Sequence, residues 1–379
     1  MIHPPSYPDY VTPGTPRWRR WWLALLVLWG GQSALLMFLW PEHRARLELW
    51  LWSAVLPLLW GLTLALRSLI WQIGLGNREA YRGVIEAALQ RWWRKRSQGL
   101  PVEQVLLFGP AGERQSTYAQ QMKGNVPLPQ PQKPSAGAAD VLRCPLSSTL
   151  SSGRGPLVGQ HLARMLLTQA QLAERWPSLR AVAWCGSTES YRSFAKTLQV
   201  EGVQVPESAL SLADLPALDR LIDNFLKRCP EDEDWLLCAG VISVDRSQSD
   251  LMASEAAFAW LVSHRPASYL KRGEYLLADK GEMPAELCAQ IQRYAGLEAS
   301  PEASLAMDAA SMEAFVEGGW PTSEHLLQAH WGELEGLAPF IGMSLALLHS
   351  ASSSQPCGWM SRDGEQRLAI GMAVANGKG

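Results

Sequence analysis

Two apolar runs near the start of the chain organise everything after them. The first opens Trp21-Trp22-Leu23-Ala24-Leu25-Leu26-Val27-Leu28-Trp29 and stays apolar to Trp40, interrupted only by Gln32 and Ser33. The second covers residues 49–66, with Pro57 inside it. A helix rises about 1.5 Å per residue, so roughly 20 residues cross a hydrocarbon core. Proline is tolerated in such a helix when neighbours or water satisfy the freed carbonyl. Trp21, Trp22 and Trp40 bracket the first run, and Trp50, Trp52 and Trp71 flank the second. That is the aromatic-belt pattern of a membrane interface. Residues 21–71 therefore read as a transmembrane helical hairpin, split by the charged run at 41–46. The alternative is a buried hairpin of a soluble domain, but a soluble core seldom supplies two such runs back to back.

Basic residues set the expected orientation. Arg17, Arg19 and Arg20 precede the first run, and Arg67, Arg78, Arg82, Arg91, Arg94, Lys95 and Arg96 follow the second. The loop offers Arg44 and Arg46, offset by Glu42 and Glu48. Positive charge is retained inside, so both termini are expected in the cytoplasm of a two-span inner-membrane protein. The length of the first run, and a second run without an Ala-x-Ala site, argue against a cleaved signal peptide.

Before the hairpin, residues 1–20 hold Pro4, Pro5, Pro8, Pro13 and Pro16 and read as a disordered tail. After it, residues 72–100 read as a juxtamembrane basic helix and linker. Tyr81, Val84, Ile85, Ala88, Leu89, Trp92 and Trp93 recur there at helical spacing. The end of that helix, Arg91-Trp92-Trp93-Arg94-Lys95-Arg96, interleaves aromatics with cations and is the candidate membrane-surface contact. A plain stop-transfer flank has the same composition. Nucleic acid is not expected, because the net charge is only −2.

Residues 101–379 alternate strands and helices, which defines an α/β domain. Strands are expected at 102–108, 179–184, 235–244, 255–262 and 276–279, with a closing hairpin of 357–362 and 366–375 about Asp363-Gly364. Helices are expected at 157–176, 215–228, 284–294 and, with glycine interruptions, 326–349. Residues 127–134 read as a Pro/Gln-rich exposed loop and 231–234 as a solvated acidic loop. Residues 109–114 are glycine-rich but lack the Gly-Lys-Ser/Thr ending of a phosphate loop.

Candidate chemistry is sparse. The six cysteines, Cys144, Cys185, Cys229, Cys238, Cys288 and Cys357, form no C-x-x-C pair, and scattered thiols suit a reducing compartment. Ser187 lies in no G-x-S-x-G elbow. His325 and His330 are five apart beside Glu324, Glu333 and Glu335, where a helical metal site would want i, i+4. Asp245, Arg246 and Asp250 read as a loop ion pair. No catalytic residue, metal or cofactor is expected.

Three stretches resemble the thiolase-like superfamily, the fold of thiolases and β-ketoacyl synthases. Asp234-Trp235-Leu236-Leu237-Cys238-Ala239-Gly240-Val241 is similar to its "D-x-hydrophobic-x-A-G-G" strand. Ser254-Glu255-Ala256-Ala257-Phe258-Ala259-Trp260-Leu261-Val262 is similar to its "G-E-G-A-A-x-L-V-L" strand, with Ser254 and Ala256 in place of two glycines. Trp331-Gly332-Glu333-Leu334-Glu335-Gly336-Leu337-Ala338-Pro339-Phe340 is similar to its C-terminal glycine-rich helix start. The resemblance implies a nucleophilic cysteine at the start of the helix before the "A-G-G" strand, but Asp214 stands there. It implies a histidine in a "G-H-x-x-G" motif, but Glu333 follows Gly332. No "H-G-T-G-T" stretch exists. Asp214 and Glu333 thus mark a vestigial site, and acyl chemistry should be absent. Degenerate proteins of this kind occur with bacterial type VI secretion effector genes. The resemblance therefore implies a non-catalytic membrane adaptor for a protein partner, either a secretion effector or a paralogous thiolase-like protein, with a homodimer through a sheet edge as a further possibility. The alternatives are an acyl- or lipid-processing enzyme at the bilayer and a structural membrane subunit of a larger assembly.

Overall fold

The structure is a computed structural model and describes residues 2–39, 41, 46–124, 126–133, 139–148, 152–169, 172–247, 251–277, 280–321, 325–364 and 367–377. The chain divides into two compact units, Pro4–Trp93 and Arg94–Gly379 with Met1–His3.

The first unit holds α1 (Trp18–Leu39) and the larger part of α2 (Arg46–Arg96). Both helices are long and apolar enough to cross a membrane. They meet through side chains: Trp60 Nε1 donates to Trp21 O at 3.1 Å, its ring lies 5.5 Å from that of Trp22, and Gln32 Nε2 donates to Trp52 O at 2.7 Å. Trp40 and the charged connection at 42–45 lie outside the described residues. In the sequence pattern the hairpin ends at Trp71 and a juxtamembrane basic helix and linker begins at 72, and Gly74 and Gly76 lie just past that division. Glycine inside a helix costs about 1 kcal/mol against alanine. In the structure the helix runs on through them: α2 is one helix of 51 residues. The proline-rich segment is also not a free tail. Tyr81 Oη donates to Pro8 O at 2.9 Å, and Arg67 donates to Gly14 O at 2.5 Å. Proline presets an extended chain with unpaired carbonyls, and here those carbonyls find donors on α2.

The second unit runs β1 (Gly99–Phe108), α3 (Gln115–Gln121), β2 (Val141–Leu142), α4 (Gly155–Leu167), β3 (Leu179–Cys185), α5 (Thr188–Val200), β4 (Leu210–Ser211), α6 (Leu215–Arg228), β5 (Trp235–Ser243) and β6 (Ala253–Ser263). It continues β7 (Ser268–Lys271), β8 (Glu274–Leu276), α7 (Pro284–Ala295), β9 (Ala303–Ala306), α8 (Ala309–Val316), α9 (Gln328–Trp331), α10 (Ala338–Ser353), β10 (Cys357–Arg362) and β11 (Leu368–Ala375).

These strands form one sheet in the order β4-β3-β5-β6-β1-β7-β11-β10-β9, with β2 on β6 and β8 on β11. The order repeats itself about its middle. From one edge inward, β4, β3, β5, β6 and β1 mirror β9, β10, β11 and β7 from the other, which among the described residues lacks only an outermost strand. In each half the hairpin strand nearest the middle, β6 or β11, runs antiparallel to both neighbours. The halves join where Gly99–Val102 of β1 pairs antiparallel with Ser268–Lys271 of β7. The second unit is thus a duplicated α/β motif.

Apolar patterning explains the layers. β6 is buried along its whole length and is apolar without a break from Ala256 to Val262, as suits a strand covered on both faces. α6 and α10 cover one face, packing on Leu236, Phe258, Trp260 and Leu270. α4 and α5 cover the other, on Leu106, Trp184, Leu237 and Leu261. Trp260 Nε1 donates to Ser344 Oγ of α10 at 2.7 Å, which satisfies the one polar atom of a buried ring.

Several expectations need correction. α4 ends at Leu167 rather than continuing to 176; a 3-10 turn at Trp176–Ser178 follows, and 170–171 lie outside the described residues. The stretch 326–349 is α9, a 3-10 turn at Glu335–Leu337 and α10, broken at Gly332. The acidic loop is not fully solvated: Asp234 is buried, accepts from Arg180 Nε at 2.5 Å, and accepts from the Glu231 N–H at 3.1 Å. β8 covers Glu274–Leu276, and residues 278–279 of the expected strand lie outside the described residues.

Candidate functional site

Three chain segments converge at one end of the sheet. β9 leads into Met307-Asp308, β10 ends at Arg362 and leads into Asp363, and residues 332–338 lead into α10. With Ser247 and Leu251 from the β5–β6 connection they enclose a cleft of about 590 Å³.

Gly332 sets the geometry. Its φ is +60°, and a Cβ there would fall 2.4 Å from Met252 O, so the turn needs glycine. The turn aims the Glu333 N–H at Met252 O, 2.8 Å away, and brings the Glu333 carboxylate into the cleft, where it accepts from Ser247 Oγ. Glu335 follows at φ +44°, a left-handed conformation that costs a residue with a Cβ about 1–2 kcal/mol.

Two other carboxylates of the cleft, Asp308 and Asp363, are bound into the scaffold. Asp308 caps α8, accepting from the Ser311 N–H at 2.9 Å and Ser311 Oγ at 2.8 Å. It also accepts from Arg362, through the backbone N–H at 2.8 Å and Nε at 3.1 Å. Asp363 accepts from Arg367 through the backbone N–H at 3.0 Å and Nε at 2.8 Å. Arg367 donates in turn to Tyr275 Oη at 3.3 Å, and that oxygen accepts from the Leu215 N–H of α6 at 3.4 Å. Burial drives the Tyr275 hydroxyl pKa upward, and the nearby Asp363 carboxylate adds to this, so the phenol keeps its proton.

Of the two vestigial-site residues, Glu333 lines the cleft. Asp214 caps α6, accepting from the Ala217 N–H at 2.8 Å, and does not line it. The start of α6 therefore holds a helix cap where a nucleophile was looked for. All six cysteines are buried. Burial pushes Cys185 and Cys288 up to about 12 and Cys229 up to about 11, and raises Cys144 well above its ordinary value. Such thiols carry almost no thiolate at neutral pH. His330 Nε2 lies 3.3 Å from Val126 O, and neither it nor His325 lines the cleft. Among the described residues no group of three or more His, Cys, Asp and Glu is placed to hold a metal. Asp245 accepts from the Gly153 N–H at 3.2 Å, while Asp250 and Glu324 lie outside the described residues.

The basic stretch 91–96 divides. Arg91 and Arg94 are exposed, and the rings of Trp92 and Trp93 meet edge-on at 4.7 Å. Lys95 pairs with Asp223 at 3.1 Å. Arg96 does not belong to a membrane-facing set. Its side chain is 8% exposed, pairs with Asp219 at 2.6 Å and with Glu274, and stands over the Tyr294 ring. Arg272 joins the same network through Asp219 and Asp223. Two carboxylates four apart on α6 were the signal available for it.

Solved structures share this fold. The ishigamide ketosynthase/chain length factor is 14% identical, with 74% of this chain and 100% of that chain covered at a TM-score of 0.53. The acyltransferase ChlB3 is 11% identical over 73% of this chain and 98% of its own, with a TM-score of 0.49. A variant of OleA from Xanthomonas campestris is 10% identical over 73% and 98%, with a TM-score of 0.43. No protein-family profile and no curated protein matches the chain. The fold is that of the thiolase-like ketosynthases, preceded by two long apolar helices.

Proposed function

We propose that this protein is a non-catalytic, membrane-anchored adaptor whose thiolase-like unit binds a protein partner. The observation that carries the reading is the chemistry at the start of α6: a capping aspartate stands there, and every thiol in the chain is buried and protonated. The engaged carboxylates of the cleft point the same way, because Glu333, Asp308 and Asp363 each already accept from a side-chain donor. The two apolar helices with basic flanks supply the anchor, in a bacterial inner membrane with both termini cytoplasmic. The partner is a secretion effector, of the type VI class, or a paralogous thiolase-like protein; a homodimer would use the same sheet-edge chemistry.

A second reading, an acyl- or lipid-processing enzyme at the bilayer, draws on the cleft of about 590 Å³. Affinity purification of the full-length protein from detergent-solubilised membranes, followed by mass spectrometry, separates the two. A stoichiometric protein partner is the expected result. Recovery with lipid or an acyl-carrier protein, and no other partner, would overturn the adaptor reading in favour of the enzyme.

A further inference from the structure

Residues 8–14 lie along α2 as a strap. Three α2 residues hold it, Arg67, Gly74 and Tyr81. They are spaced by seven, so they share one face of the helix. Arg67 donates to Gly14 O, Tyr81 Oη donates to Pro8 O, and the rings of Tyr10 and Tyr81 lie 5.6 Å apart. Between these anchors Pro13 sits so close to the helix that a Cβ on Gly74 would fall 2.5 Å from its Cδ. The lengths agree: α2 advances about 21 Å from Arg67 to Tyr81, and a polyproline chain from Pro8 to Gly14 extends roughly 19 Å. The strap runs antiparallel to α2, with Gly14 at Arg67 and Pro8 at Tyr81.

Beneath the strap is the weakest stretch of α2. Gly74-Leu75-Gly76-Asn77 combines two glycines and an asparagine, all poor helix formers. Gly76 has nothing within 4 Å of where a Cβ would stand, so no packing on that side secures it. The helix nevertheless continues through all four residues. Isolated low-propensity turns fray, and what holds a helix together in a protein is contact along a face. The contact available here is the strap.

We infer that the proline-rich strap is a splint: seated, it keeps α2 continuous across residues 74–77, and lifted, it leaves those residues as a hinge. Gly74 serves both states, since it admits Pro13 when the strap is down and loosens the helix when it is up. The hold is slight, two hydrogen bonds and two ring or proline contacts, so the strap is displaceable. The inference concerns the anchor and stands independently of the adaptor reading.

Hydrogen exchange on the full-length protein in detergent micelles tests it, comparing peptides from 72–80 with those from 84–93. The double substitution Pro13→Glu with Tyr81→Phe removes the central contact and one hydrogen bond. Exchange at 72–80 is expected to rise about tenfold or more with 84–93 unchanged. Unchanged exchange at 72–80 would overturn the splint. So would an equal rise at 84–93 that is absent in the milder Tyr81→Phe protein. Gly74→Ala separates the two roles, because it expels Pro13 while improving the helix. Chymotryptic cleavage after Tyr10 is expected to quicken by about tenfold while 72–80 stays protected. Unaltered cleavage would show that the strap does not depend on Gly74 and would refute the inference.

Discussion

Arg154 Nε lies 2.7 Å from Glu255 Oε1, and the two side chains are 3% and 1% exposed. The pair is a closed system. Glu255 also accepts from Ser243 Oγ at 3.2 Å and from the Cys144 N–H at 3.1 Å, while Arg154 donates to Cys144 O at 3.0 Å. Glu255 lies in β6, Ser243 in β5 and Cys144 just after β2, so one carboxylate secures three strands at the end that carries the cleft connection.

Removing one partner leaves a buried charge unmatched. Glu255→Ala is therefore expected to destabilise the second unit by about 3–5 kcal/mol, read as a shift of the denaturant midpoint by tryptophan fluorescence. Replacing both, Arg154→Met with Glu255→Leu, is expected to recover most of that loss. A single substitution with no effect would mean the pair is not formed.

The thiols give a second expectation. Buried and held protonated, they should resist iodoacetamide at neutral pH in the native protein, and all six should react at once on unfolding. As pH rises, Cys229, at about 11, is expected to ionise before Cys185 and Cys288, at about 12. Fast native labelling of any one cysteine near pH 7, located by peptide mapping, would reveal an activated thiol and contradict this picture.

Acid should loosen the network around α6. Burial alone would raise the Asp223 carboxyl, but hydrogen bonds and charge from Lys95 and Arg272 outweigh it and hold it below its ordinary 3.8. Glu103 is held below 4.5 in the same way, burial being outweighed by Arg175 and Ser263. A depressed carboxyl contributes stability that is present above its unfolded pKa and is lost as pH falls through the lower folded value. Stability is therefore expected to be flat near neutrality and to fall from about pH 4.5 downward. Asp223→Asn and Glu103→Gln should each make that decline shallower; an unchanged acid limb in both would refute the assignment.

Gly332 is the backbone residue on which the cleft depends. Gly332→Ala places a Cβ against Met252 O in a left-handed conformation, and is expected to destabilise the protein by about 1–3 kcal/mol. Glu333→Ala removes only the carboxylate and is expected to leave both stability and partner capture nearly unchanged. Loss of capture on Glu333→Ala alone, with the fold intact, would give Glu333 a direct binding role.

Local patterning made part of this architecture legible. α6 was readable to its last residue because a capping Asp214, an early Pro216 and an apolar face at Leu218, Leu221, Ile222 and Phe225 all agree. β5 and β6 were readable as long apolar runs. β7 and β9 were not, since four residues such as Ala303–Ala306 carry no period. Arg96 resembled a lipid contact because its partners Asp219 and Glu274 are distant in sequence, and charge pairing across such separations leaves no local trace. Glu333 was found through the motif around Gly332, whereas Ser247, Asp308 and Asp363 reach the cleft only through the fold. The strap was missed for a related reason: prolines show no hydrophobic period, and their complement is a face of α2 more than fifty residues away.

Intact-mass spectrometry shows whether any side chain of this protein takes up an acyl group. The full-length protein, purified in detergent, is incubated with acyl-coenzyme A and with acyl-carrier thioesters of several chain lengths and then weighed. An unmodified mass at neutral pH is the expected result, because no thiol is ionised and an aspartate caps α6. A stoichiometric acyl adduct that maps to one cysteine or serine would contradict the account and make the protein an acyl-transferring enzyme.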